Sequence, residues 1–147
     1  MPNYTEPFKK RNTINTAEDK CVEYLKNSSI LYTRYGFDCL HDVPAKDFIK
    51  IPENLRSTPD YMIFFEPSAY FLEAKGCFDI LKLKLSDLKA YNFWNNLCKL
   101  YIFSYSTKFK RHKIVSLNKI TEITASCSID YYEDNGKAYY KIPWEKI

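Results

Sequence analysis

Two acids and a lysine carry the chemistry legible in this chain. Asp60 follows Pro59, and Glu73-Ala74-Lys75 comes a short way on. Between them lie two apolar runs, 61–65 and 69–74, joined by the turn signal Glu66-Pro67-Ser68. Uninterrupted apolar runs suit strands buried on both faces. Charges at the ends of such strands are rarely buried unless paired or bound to metal. With the loop centred on Pro67-Ser68, Phe65 pairs with Tyr70, Met62 with Glu73 and Asp60 with Lys75. Side chains alternate along a strand, so Asp60, Glu73 and Lys75 share one face. Diagonal neighbours on a hairpin sit roughly 7–8 Å apart. Two carboxylates at that range can hold a hard cation such as Mg²⁺ between them. The ammonium beside them can orient a water or neutralise a phosphoryl oxygen. A register slip of one residue would move Asp60 to the opposite face. The plain alternative is a salt bridge at the hairpin's rim.

The elements that must position these groups follow from the flanking sequence. Residues 1–15 are polar and include Lys9, Lys10 and Arg11, which predicts a basic N-terminal arm able to touch phosphates. Thr16 is the expected N-cap of a helix, with Asp19 three residues on. Ala17, Cys21, Tyr24, Leu25 and Ser28 form its apolar stripe. Glu18 falls in its first turn, where the helix dipole favours an acid. Residues 30–40 read as a helix exit and then a strand, with a break at Gly36. Residues 42–56, with Pro44 and Pro52, read as a loop or edge strand.

Beyond the hairpin, residues 78–96 predict one helix. Leu81, Leu85, Leu88 and Tyr91 face inward, while Lys82, Ser86, Lys89 and Phe93 form a wetter neighbouring face. Lys82 and Lys89 could reach phosphate from it. Residues 97–106 predict a buried return strand. The densest basic segment is 107–113, where Lys108, Lys110, Arg111 and Lys113 interleave with Phe109 and His112. Such a turn beside a phosphate-cutting site grips backbone. A short strand over 114–117 leads to a brief helix capped by Asn118. Strands 129–133 and 137–142 flank Asp134-Asn135-Gly136, a hairpin signal. Trp144, after Pro143, should close on the body.

Length and composition narrow the classes. With 147 residues, one domain with a real core is expected. A net charge of +4 permits nucleic-acid binding without demanding it. Cys21, Cys39, Cys77, Cys98 and Cys127 are odd in number and never spaced C-x-x-C, so zinc-ribbon and redox readings fail. Reduced thiols predict a cytoplasmic protein. No stretch reads as a signal peptide or a membrane span. With three glycines and no P-loop, G-x-G-x-x-G, H-E-x-x-H or G-x-S-x-G, nucleotide folds, zincins and serine hydrolases are disfavoured.

Pro59-Asp60 followed by Glu73-Ala74-Lys75 resembles the motif of the PD-(D/E)XK nucleases. Glu18-Asp19-Lys20, Thr58-Pro59-Asp60, Glu73, Lys75-Gly76 and the strand 100–104 are similar to the endonuclease I-type Holliday-junction resolvases of phages. The resemblance implies an α/β (α+β) fold with an αβββαβ core, a mixed central sheet flanked by helices, and here a C-terminal β-hairpin. It implies residues 16–147 as one nuclease domain. It also implies a Mg²⁺- or Mn²⁺-dependent cut in DNA, with Asp60, Glu73 and the Ala74 carbonyl as ligands and Lys75 as catalytic lysine. Many members add a glutamate from the first helix, here Glu18 with Glu23 as the alternative. Some RNA-cleaving members carry a histidine upstream, here His41. The phage enzymes act on branched DNA as homodimers. Sequence-specific homing or restriction-type endonucleases, RNA endonucleases and a non-catalytic nucleic-acid-binding protein are the other readings.

Overall fold

The computed structural model describes residues 5–36 and 45–147, with side chains from Thr16 onward except those of Ala45 and Phe48. Cys39 and His41 lie outside the described residues.

Helix α1 (Thr5–Asn27) begins well before Thr16. Pro7 sits in its first turn, where proline is tolerated, and no glycine or proline follows before residue 27 to stop it. Thr16 is therefore an interior position rather than a cap. Lys9, Lys10 and Arg11 lie on the helix's first half. Strand β1 (Leu31–Arg34) follows, then two single-turn helices, α2 (Ala45–Phe48) and α3 (Glu53–Arg56), where a loop or edge strand was expected. Strands β2 (Tyr61–Phe65) and β3 (Ser68–Cys77) form the anticipated hairpin.

The hairpin's register differs from the expectation by two residues. Phe65 faces Ser68 and Tyr61 faces Leu72, so the turn centres on Glu66-Pro67. An even shift preserves the faces. It moves Asp60 from opposite Lys75 to opposite Glu73.

The expected helix over 78–96 is two elements. Strand β4 (Ile80–Lys84) precedes helix α4 (Leu85–Leu97). Leu81 and Leu83 are buried and Lys82 is exposed, which is strand alternation. The Leu81–Leu85–Leu88 spacing mimics a helix across the boundary. Lys82 and Lys89 consequently belong to different elements.

Strand β5 (Leu100–Ser106) returns parallel to β3, and β6 (Arg111–Ser116) pairs antiparallel with it. The central sheet runs β1-β2-β3-β5-β6, giving the αβββαβ order with a mixed sheet. Helix α5 (Leu117–Thr124) is capped by Ser116, whose side chain accepts from the Lys119 N–H, rather than by Asn118. Strands β7 (Ile129–Tyr131) and β8 (Ala138–Pro143) form the C-terminal hairpin, and β4 joins it in a second sheet ordered β4-β8-β7.

The core lies on both faces of the central sheet. On one face Cys21 and Leu25 of α1 cover Tyr61, Ile63, Leu72, Ala74 and Phe103. On the other, Leu88, Tyr91 and Trp94 of α4, Ile120 of α5, and Leu81, Ile142 and Trp144 cover Phe71, Leu100 and Ile102. Leu72 and Ala74 thus face α1. Glu73 and Lys75, between Phe71 and Cys77, face α4. Among the described residues no helix is long and apolar enough to cross a membrane.

Candidate active site

The acids sit where β2 and β3 part. The β2–β3 ladder ends at Tyr61–Leu72, while β3 continues to Cys77 beside β5. At that fork, side chains replace the missing ladder bonds. The Ala74 N–H donates to Asp60 Oδ2 at 2.9 Å, and the Asp60 N–H donates to Glu73 Oε2 at 3.0 Å. Each acid is thereby held by the other's strand. Thr58 and Pro59 are buried alongside, which fixes the approach to Asp60. The N–H groups of Tyr35 and Gly36 donate to the Asp60 carbonyl at 2.8 and 3.2 Å. A Cβ on Gly36 would stand 3.3 Å from the Pro59 carbonyl oxygen, so a side chain there would crowd this contact.

Asp60 is 4% exposed and Glu73 7%. Burial, then the neighbouring Glu73, pushes Asp60 up to about 9. Burial likewise raises Glu73, against the pull of Lys75 and a hydrogen bond from Tyr91. Two buried carboxylates facing each other are costly without added positive charge.

Lys75 supplies part of that charge. Its Nζ lies 3.3 Å from Glu73 Oε1 and 3.6 Å from Asp87 Oδ2. Burial opposes its ammonium, but Tyr91, Glu73 and Asp87 outweigh burial, and its pKa stands well above the ordinary lysine value. Helix α4 braces the pair. Tyr91 donates its hydroxyl to Glu73 Oε1 at 2.7 Å, and its ring lies 5.4 Å from Lys75 Nζ. Asp87 and Tyr91 are four residues apart and so share a helix face.

Arg34 of β1 supplies a second positive charge. Its Nη1 donates to Glu18 Oε2 at 3.2 Å and to the Tyr61 hydroxyl at 3.1 Å, and its Nη2 lies 3.9 Å from Asp60 Oδ1. Glu18 lines the same cleft as Asp60, Glu73, Ala74 and Lys75, a space of about 610 Å³. Glu23 instead pairs with Lys20 at 3.0 Å on the exposed side of α1.

The basic residues are dispersed. Lys82 lines the cleft, and Lys89 is exposed on α4. Lys108 pairs with Asp79 at 3.1 Å, and Lys110 occupies the exposed turn with φ 51°. Arg111 lies 5.4 Å from the Trp144 ring. Lys113 Nζ donates to the carbonyls of Trp144, Glu145 and Ile147 at 3.1, 3.3 and 3.0 Å. The side chains of Lys9, Lys10 and Arg11 are outside the description.

Sequence reasoning missed Arg34, Asp87 and Tyr91 as parts of the site. Tyr91 was legible only as a buried helix position, and nothing local marks the other two.

The donor set suits a hard divalent cation. Asp60 and Glu73 offer carboxylate oxygens from adjoining strands, and the Ala74 carbonyl comes from the same fork. A divalent charge there would offset the burial and the neighbouring Glu73 that hold Asp60 high. Among the described residues no three His, Cys, Asp or Glu side chains converge on one metal position.

No family model matches the chain, and no curated protein matches it. A solved structure, that of a nuclease from a fusselovirus, is similar with a TM-score of 0.51 and 10% identity over 97% of this chain and 86% of that one. At that identity the likeness is one of fold.

Proposed function

We propose that this protein is a metal-dependent DNA endonuclease of the PD-(D/E)XK type that acts on branched DNA. The observation that carries the reading is the buried Asp60–Glu73–Lys75 set at the fork of β2 and β3. It stands in an αβββαβ fold similar to a viral nuclease. Asp60, Glu73 and the Ala74 carbonyl would hold Mg²⁺ or Mn²⁺, with Glu18 at the margin. The bound ion would polarise the scissile phosphate and acidify a water.

The chain's own groups complete the chemistry. The Lys75 ammonium orients the attacking water and offsets charge on the phosphoryl oxygens. Tyr91 and Asp87 keep Glu73 and Lys75 in place. The Arg34 guanidinium, near both Glu18 and Asp60, balances the remaining acid. In-line attack by water forms one P–O bond and breaks the P–O3′ bond, leaving a 5′-phosphate and a 3′-hydroxyl. Symmetric cuts across a four-way junction require two such sites, which a homodimer supplies. Cys21, Cys77, Cys98 and Cys127 are free thiols, in keeping with a reducing cytoplasm.

The test is cleavage of a labelled four-way junction and a matched linear duplex with Mg²⁺ or Mn²⁺, wild type beside Lys75→Ala. Junction cutting that requires both metal and Lys75 is expected. Equal cutting of the two substrates would remove the branch selectivity. Cutting that survives in Lys75→Ala would remove the assigned chemistry.

A further inference from the structure

The second sheet walls one side of the acid cleft, and the chemistry at the fork leaves its lining unexplained. Lys82 and Lys84 alternate with the buried Leu81 and Leu83, so both stand on the face of β4 away from the core. Both line the cleft with Tyr132 and Asn135. Lys82 Nζ lies 5.7 Å from the Tyr132 ring and 5.2 Å from the Tyr139 ring, and Lys84 Nζ lies 5.6 Å from Tyr132. Among the described residues neither lysine is in an ion pair. Tyr132 lines the same cleft as Lys75 and Asp87, and burial, and next Asp87, raises its hydroxyl's pKa.

We propose that β4 and the β7–β8 loop form a platform for one unpaired nucleic-acid strand running to the acids, with Lys82 and Lys84 on its phosphates and Tyr132 against a base. Side chains two apart on a strand rise roughly 6.5–7 Å along it, which suits successive phosphates of an extended strand. A cation resting on a ring face is a weak contact that a phosphate readily replaces. Only an unpaired base offers its face to a tyrosine. Duplex would meet the lysines alone. The proposal rests on the nuclease reading, since it names what the same cleft holds, and it narrows the branched DNA to branches that carry an unpaired strand.

The test measures binding without cleavage. Anisotropy of labelled oligothymidine and of a matched hairpin duplex is followed against salt in EDTA, for wild type, Lys82→Gln/Lys84→Gln and Tyr132→Leu. Losing two phosphate contacts should flatten the log–log salt slope for oligothymidine by about 1.4. Tyr132→Leu should weaken oligothymidine roughly tenfold and leave the duplex nearly unchanged. Lys82→Arg/Lys84→Arg should restore the slope, which separates lost charge from a disturbed β4. An unchanged slope in Lys82→Gln/Lys84→Gln, equal losses on both nucleic acids from Tyr132→Leu, or no wild-type binding to oligothymidine would each overturn the platform. Metal-dependent junction cutting is measured separately. Cutting with an unchanged slope sinks the platform alone, and binding without cutting sinks the nuclease reading alone.

Discussion

The acid fork and the corner around Trp144 both set charged side chains against buried ones, with opposite results. At the corner Lys113 and Arg111 have partners suited to them. The Trp144 indole is fully buried, donates to Ser104 Oγ at 3.1 Å and stacks on Phe109 with ring centroids 5.3 Å apart. Lys113 lies 4.4 Å from that ring while its three donors reach the last carbonyls of the chain. At the fork two carboxylates face each other in low dielectric, with Lys75 and Arg34 only partly matching them. The corner's charges hold the fold together. The fork's carboxylates are costly to bury, a cost that the proposed cation would offset.

Asp60→Asn should break this contrast most sharply. It keeps an oxygen able to accept from the Ala74 N–H but removes an acid whose charge burial, and then Glu73, disfavour in the folded state. Cutting should fall by at least about a hundredfold, while the apo protein's Tm should rise. A lower Tm would mean that the fork stabilises the fold, and the comparison would fail.

Lys113→Met tests the other side. It retains much of the apolar stem and deletes the bonds to the terminal carbonyls. Charged hydrogen bonds of this kind contribute about 1.5–3 kcal/mol, so chemical denaturation should show a loss of that order. Junction cutting by the folded variant should match wild type. A large loss of cutting without a loss of stability would instead place Lys113 on the substrate.

Tyr91→Phe refines the picture within the fork. The ring still packs on α4, and only the 2.7 Å bond to Glu73 goes. Loss of such an orienting bond should lower kcat about tenfold with little change in KM. Unchanged kcat would show that Glu73 is held by Lys75 and the Asp60 N–H alone.

The same contrast explains how much was legible in the sequence. Asp60, Glu73 and Lys75 could be placed together because strand periodicity keeps their face through a register shift of two residues. The order of helix, hairpin, helix and return strand follows from runs of apolar residues. Lys82 was assigned to a helix because Leu81, Leu85 and Leu88 fit helical spacing, although Leu81 and Leu83 also fit a strand. Only pairing with β8 decides between them. Arg34, Asp87 and Tyr91 were invisible as site residues because each comes from another element, and tertiary packing alone brings them to the fork. Residues 45–56 form turns of helix where the prolines suggested none, because Pro52 immediately precedes α3 and does not interrupt it.

The smallest effect is expected at His112, an exposed residue whose ring is partly desolvated by its aromatic neighbours. The ring stacks on Phe103 at 4.7 Å and approaches Tyr24 at 4.8 Å, and burial lowers its pKa from the ordinary 6.5. The unfolded chain therefore takes up the proton first as pH falls. Stability from the neutral ring is fully present above about pH 6.5 and declines as pH falls through that value towards the folded pKa. His112→Phe keeps the stacking and removes the proton uptake. The fall in Tm between about pH 7 and pH 5 should be slightly shallower in the variant than in wild type. A steeper fall would mean that the charged imidazolium is the favoured form, held by the aromatic faces as Trp144 holds Lys113.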